Sequence, residues 1–293
     1  MNRWMLRGLV ALVLIVVLLA GLVGAGLQLG HDRAQRRIDV KVQPVAVPTD
    51  AASIERGRYL FASRGCAECH GANGAGRVFA EQGGSLRLAG PNLTRGPGGV
   101  TAAYGNVDWV RTIRHGVKPD GRPLRVMPSE DYNRMTDTDL GALLAYVQSL
   151  PPARGQGATL TLPLPARVLY GFGQIPDAAD RIDHKLPPQQ PVAEGVTLEH
   201  GRYVANLCLG CHGEKLEGGK IPGGPPDWPA AARLAPGAGS AMPRYAGADA
   251  FLAMLKSGKS PEGRAVAVMP FETLKHMSET DARALHLYLT SLK

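Results

Sequence analysis

The sequence predicts an all-α chain: two copies of one helical unit set behind a single N-terminal helix of membrane-spanning length. Three observations carry this. Residues Gly8 to Leu29 include no charged side chain and are dominated by Leu, Val, Ile, Ala and Gly. An offset of 142 residues lays 66–150 on 208–292 without slippage. In both copies apolar positions recur with the 3.6-residue helical period behind Ser, Thr or Asp capping residues. A length of 293 residues suits about two domains of ~150 residues each. With 44% apolar and 20% charged residues the chain is neither disordered throughout nor a multi-span membrane protein. Aromatics are only 5%, against 37 glycines and 23 prolines. Small, turn-rich units with few bulky core side chains often rely on a bound group.

Charge separates the classes further. The net charge is +8, and residues 1–37, with five basic and one acidic residue, carry half of it. The blocks 38–152 and 193–293 are nearly neutral, at +2 and +1. A nucleic-acid binder concentrates Lys and Arg on a folded domain; this chain does not.

The apolar run of 22 residues would span roughly 33 Å as a helix, the thickness of a bilayer core. A secretory signal has a shorter apolar region of about 7–15 residues before a small-residue cleavage site. Val23-Gly24-Ala25 offers such a site, so removal stays open, but the length favours an anchor. Arg3 and Arg7 lie before the run and Arg33, Arg36 and Arg37 after it, so flanking charge does not orient it.

All four cysteines fall in two identical patterns, Cys66-Ala67-Glu68-Cys69-His70 and Cys208-Leu209-Gly210-Cys211-His212. C-x-x-C-H is the attachment signature of c-type haem. Two thiols at that spacing can each form a thioether to a haem vinyl group, and the next residue, His70 or His212, ligates the iron. A structural zinc site would place two C-x-x-C pairs about 15–20 residues apart, but 138 residues separate Cys69 from Cys208. A thioredoxin-like pair needs a βαβ context, and no strand pattern is read beside either motif. Disulfides would leave both histidines unexplained. Two covalently attached haems c are expected.

The repeat then selects the sixth ligand. It maps Gly116 to Gly258, Pro119 to Pro261, Gly121-Arg122 to Gly263-Arg264 and Val126-Met127-Pro128 to Val268-Met269-Pro270. His115 maps to Ser257 and His276 to Arg134, so no distal histidine is shared. Two methionine pairs recur, Met127/Met269 and Met135/Met277, at 57 and 65 residues beyond the proximal histidine. Spacing does not separate them; local structure does. Met135 and Met277 directly precede Thr136 and Ser278, the expected N-caps of the last helix, where an apolar residue serves as a hydrophobic staple. Met127 and Met269 lie in irregular Pro-containing segments, free to present a thioether to iron.

Each unit then reads as follows. In the first, a helix from Asp50 to Phe61 precedes the motif, Asp108 caps a helix Trp109–His115 closed by Gly116, and Thr136 opens a last helix ended by Pro151-Pro152. The second repeats this with Glu199–Ala205, Asp249–Ser257 closed by Gly258, and Ser278–Leu292. Trp109 and Phe251 occupy equivalent core positions. The glycine-rich loops Gly71–Gly76 and Gly213–Gly224 lack the Gly-Lys-Ser/Thr context of a phosphate cradle. The expected organisation is an anchor (1–30), a tether (31–49), a first domain (50–152), a Pro-rich connector (153–192) and a second domain (193–293).

With these residues in place the chain resembles a membrane-anchored di-haem c-type cytochrome built from two tandem class I cytochrome c domains. The resemblance rests on Gly57-Arg58-Tyr59, both C-x-x-C-H motifs, Gly90-Pro91-Asn92-Leu93-Thr94, Pro119-Asp120-Gly121-Arg122-Pro123, Met127-Pro128 and Ala145-Tyr146. It implies that the Pro91 carbonyl accepts a hydrogen bond from His70. The second domain keeps Gly201-Arg202-Tyr203 but has Arg233-Leu234-Ala235-Pro236 where the family has Asn-Leu-Thr. The first domain is similar to the cytochrome subunits of periplasmic alcohol, gluconate and related dehydrogenases; those often carry three haems, whereas this sequence holds two motifs.

The expected function is one-electron transfer through two His/Met-ligated haems on the periplasmic side of the cytoplasmic membrane, with the N-terminus inside and no catalytic residues. A thioether favours ferrous iron and fills the position a substrate would need. Expected partners are the membrane and a redox protein: a quinol-oxidising complex, a terminal oxidase or a periplasmic dehydrogenase. No nucleic acid is expected. Service as the cytochrome subunit of an alcohol or sugar dehydrogenase complex is the alternative. A di-haem peroxidase needs one open distal side, so its two copies should differ at the methionine; here they match.

Overall fold

The computed structural model describes every residue except Met1, Pro188 and Pro226. Met1 of the expected anchor, Pro188 of the expected connector and Pro226 of the expected second domain thus lie outside the described residues. Helix α1 (Arg3–Gln35) runs 33 residues, several beyond the apolar stretch. It is long and apolar enough to cross a membrane, with mean hydropathy 2.9 over its most apolar 18 residues.

Residues expected as a loose tether lie against the first helical unit. Ile38 N–H donates to the Gly121 carbonyl at 2.9 Å, and Val40 and Val45 are buried. The unit comprises α2 (Ala51–Ser63), α3 (Cys66–His70), α4 (Asn106–His115), α5 (Ser129–Tyr132) and α6 (Asp137–Ser149). Asp50 caps α2 by accepting from Ser53 N–H at 2.9 Å, and Thr136 caps α6 by accepting from Asp139 N–H at 3.1 Å. The cap of α4 differs from expectation. The helix starts three residues earlier with Gly105 at the N-cap, and Asp108 reaches back to accept from Gly105 N–H at 3.0 Å. Gly116 ends α4 in the left-handed region at φ 65°.

The second half repeats the pattern with α9 (Leu198–Ala205), α10 (Leu209–His212), α11 (Ala248–Ser257), α12 (Phe271–Leu274) and α13 (Glu279–Ser291). Ser278 caps α13 through Asp281 N–H at 3.1 Å. The first and last helices cross closely in each half, at Gly57 over Ala142 and at Gly201 over Ala284. A Cβ on either glycine would run into the opposing carbonyl. Gly57→Ala is therefore expected to lower stability by about 1–3 kcal/mol, the usual cost of overpacking, despite alanine's better helix propensity. Chemical denaturation measures it.

The all-α expectation needs one correction. Strands β1 (Val78–Gln82) and β2 (Leu86–Ala89) form an antiparallel hairpin, and β3 (Thr159–Thr161) pairs with β2 through Leu88 and Leu160. Gly83 and Gly84, both at positive φ, make the turn. The hairpin starts eight residues after His70, so a strand does lie beside the first motif; being antiparallel, it gives no βαβ context. Beyond β3 the expected connector holds α7 (Leu164–Gly171) and α8 (Ala178–Arg181). Arg33 and Arg36, at the end of α1, pair with Asp177 and Asp180 at the start of α8 at 2.5–2.8 Å.

The two halves meet about a pseudo-twofold axis. Tyr59 of α2 donates to Asp281 of α13 at 2.6 Å and accepts from Ser278 N–H at 3.1 Å. Reciprocally, Tyr203 of α9 donates to Asp139 of α6 at 2.8 Å and accepts from Thr136 N–H at 3.3 Å. Each tyrosine thus occupies the N-terminal cap of the other half's last helix. Three residues before each tyrosine, Arg56 pairs with Asp139 at 3.0 Å and His200 with Asp281 at 2.7 Å.

Candidate functional site

Both C-x-x-C-H motifs form a single helical turn fixed by glycine. Gly65, at φ 83°, leads into α3, and Gly71, at φ 74°, closes it by donating to the Ala67 carbonyl at 2.9 Å. Gly213, at φ 80°, closes α10 the same way on Leu209. None of Cys66, Cys69, Cys208 and Cys211 is paired in a disulfide. Burial pushes the Cys66 and Cys208 thiols up to about 12 and Cys69 to about 11.

The histidines of both motifs are oriented by carbonyls. His70 Nδ1 lies 2.9 Å from the Pro91 oxygen, the partner the resemblance implied. His212 Nδ1 lies 2.7 Å from the Ala232 oxygen. The second half therefore replaces the proline carbonyl with that of the residue just before Arg233. An Nδ1–H donated to a carbonyl leaves the Nε2 lone pair available to a metal. Burial lowers the proton affinity of both rings, and the carbonyl opposes it, which favours neutral, ligating imidazole.

The two methionine pairs separate by environment. Met135 and Met277 are buried in the two hydrophobic cores, as staples should be. Met127 and Met269 are only partly buried and pack at the edges of those cores, in the clusters that also contain Cys66 and Cys208. Ser129 N–H donates to the Met127 carbonyl and Phe271 N–H to that of Met269, both at 2.9 Å. Val268, immediately before Met269, sits at φ 70°, a costly conformation for a β-branched residue and one that clusters at functional sites.

The donor set fits a haem c in each half: two thiols, an oriented imidazole, a partly buried thioether and apolar walls. In the first half Trp109, Ile113, Leu93 and Tyr104 belong to the same cluster as Cys66 and Met127. A cavity of about 220 Å³ continues from Leu93, Tyr104 and Trp109 to a polar rim at Arg95, Asn106 and Gln148. Among the described residues no cluster of three or more His, Cys, Asp or Glu forms a bare metal site.

Sequence reasoning missed the role of the variable residues inside the motifs. Glu68 of α3 accepts a hydrogen bond from Thr273 of α12. At the equivalent place Gly210 of α10 faces Asp131 of α5, and a Cβ there would collide with the carboxylate. Each attachment turn is thus covered by a short helix of the other half. Burial, followed by the charge of Glu130, raises Asp131 to about 7. Gly210→Ala is expected to push the Asp131 carboxylate aside and destabilise the protein by about 1 kcal/mol, with Gly210→Ala/Asp131→Gly restoring most of it in a double-mutant cycle.

These arrangements resemble a c-type cytochrome domain, and comparison with known proteins agrees: the cytochrome c family model matches residues 54–151, the segment that holds the first motif. Along most of its length the chain is similar to cytochrome subunits of dehydrogenases. It is 28% identical over 284 residues to the fructose dehydrogenase cytochrome subunit of Gluconobacter japonicus, covering 87% of this chain and 56% of that protein. It is 25% identical over 276 residues to the alcohol dehydrogenase (quinone) cytochrome c subunit of Gluconobacter oxydans, covering 84% and 56%. The gluconate 2-dehydrogenase cytochrome c subunit of Pantoea cypripedii is 30% identical over 174 residues, covering 55% and 38%. The chain spans about half the length, or less, of these relatives.

Proposed function

We propose that this protein is a di-haem electron carrier of the cytoplasmic membrane, with the N-terminus inside and both haem units on the outer side, passing single electrons between a dehydrogenase and a respiratory acceptor. The observation that carries this reading is the reciprocal packing of two equivalent attachment turns, each with its histidine Nδ1 held by a carbonyl. The proposed domains are 50–152 and 193–293, behind an anchor within 1–30.

A haem at each turn supplies a ferric/ferrous one-electron couple. Cys66 and Cys69, and Cys208 and Cys211, would hold the groups by thioethers. His70 and His212 would ligate the iron through Nε2, and Met127 and Met269 would complete the sixth position. The thioether raises the potential and excludes exogenous ligands. Tyr59 and Tyr203 tie the two halves together through the N-terminal caps of α13 and α6, so both haem units belong to one packed body. The dehydrogenase partner is supported by the relatives' names.

The test is a haem count with a potentiometric titration of the purified protein. Expected are two haems c per chain and a thioether–ferric band near 695 nm at both centres. One haem per chain, or cyanide binding at neutral pH without displacement of that band, would overturn the reading.

A further inference from the structure

Helix α1 carries a second helix with it as its apolar run ends. Gly26 and Gly30, the two buried residues of α1, pack on α7. A Cβ on Gly26 would lie 2.8 Å from Val168 and 3.0 Å from the Phe172 ring, and one on Gly30 would lie 3.3 Å from the Arg167 carbonyl. Gly171 approaches the Gly26 backbone so closely that it too must lack a side chain. This small-residue contact resembles those that bring helices together in membranes.

We propose that α7 lies in the outer leaflet beside α1, with Leu164, Leu169 and Phe172 in lipid, so that the protein holds the bilayer by two helices. The proposal rests on α1 crossing the membrane. Those three side chains are exposed by 48%, 47% and 42%, and Leu22 and Leu29 of α1 are exposed too, so both helices carry exposed apolar side chains around the Gly26–Gly171 contact. Depth agrees. At 1.5 Å per residue from Gly8, Gly26 to Gly30 lie about 27–33 Å along the helix, the far edge of a ~30 Å hydrocarbon core.

The change from apolar to polar is in register on both helices. Just past Gly30, α1 turns charged at Asp32, Arg33 and Arg36, and six residues past the end of α7 the chain reaches Asp177 and then Asp180, which pair with the two arginines. Tyr170 joins this collar, donating to Asp177 at 3.1 Å beneath the Arg33 guanidinium. Tyrosine and arginine are the residues that settle at headgroup level. Arg167, exposed on α7, can extend its charge to the same level. Lipid suits the face better than a protein because its upper edge coincides with the collar that ends the span.

The experiment uses the full haem-loaded chain in phosphatidylcholine nanodiscs with an environment-sensitive fluorophore on one introduced cysteine. The sites are Leu169→Cys on α7, Leu14→Cys within the span and Val196→Cys in the second half. Quenching by brominated lipid is compared with quenching by aqueous iodide. Expected is stronger bromolipid quenching at Leu14→Cys and Leu169→Cys, and stronger iodide quenching at Val196→Cys. If Leu14→Cys reports lipid while Leu169→Cys is quenched by iodide, the anchor stands and the α7 proposal falls, leaving that face for a protein partner. If Leu14→Cys is itself quenched by iodide, the spanning reading falls and the proposal with it.

Discussion

Replacing Met127 with Leu is expected to remove the 695 nm band of the first centre and to lower its midpoint by ~0.2 V, about a quarter of the ~0.8 V range that axial ligands command. Leucine keeps the apolar volume, so packing in the cluster with Cys66 and Trp109 should survive and the change should report ligation alone. Met269→Leu should do the same to the second centre. Met135→Leu and Met277→Leu, at buried core positions, should leave both potentials in place and cost less than about 1.5 kcal/mol of stability. The four variants together decide between the methionine pairs, because the alternative assignment reverses every outcome. If Met127→Leu kept its band and midpoint while Met135→Leu lost them, the ligand assignment would be wrong.

The second large effect is expected at Asp281. This carboxylate is fully buried and accepts from Tyr59, Arg64 and His200 at 2.6–2.8 Å. Arg64 is itself only 4% exposed. Removing one member of a buried pair leaves an uncompensated charge, so Asp281→Ala should cost about 3–5 kcal/mol and uncouple the halves, read as a split denaturation transition. Burial acts to raise the Asp281 carboxyl, but the Arg64 charge and the hydrogen bonds from Tyr59, Arg64 and His200 outweigh it and bring it down to about 2. A carboxyl lowered on folding contributes stability that is complete above its unfolded value near 3.8 and fades as pH falls through 2. Acid unfolding should accordingly lose about 2 kcal/mol between pH 4 and pH 2, a loss that Asp281→Asn should largely abolish.

The helices around the attachment turns were legible because local chemistry and tertiary role agree there. Asp50, Thr136 and Ser278 cap as their residue types require, and Gly116 and Gly258 close helices at φ 65° and 69°. The hairpin was legible in part: Gly83-Gly84 is a turn signal between the apolar run Val78-Phe79-Ala80 and the alternating Leu86-Arg87-Leu88. The carbonyl facing His212 was not legible, since any backbone oxygen serves and the sequence there departs from its counterpart. Nor was the pairing of the halves. Tyr59 and Tyr203 read as members of amphipathic helices, and only the fold shows that their hydroxyls reach caps about 220 and 65 residues away. Residue pattern reports which face is apolar, not which copy it meets.

The mutual covering of the two attachment turns also links haem insertion to folding. Cys66 and Cys208 are half-buried at the edges of the cores, where α12 covers the first turn and α5 the second, whereas Cys211 is exposed. On the di-haem reading proposed above, a porphyrin vinyl group reaches Cys66 and Cys208 more easily while the halves are still apart, and a chain that closes early should be loaded more slowly there than at Cys211.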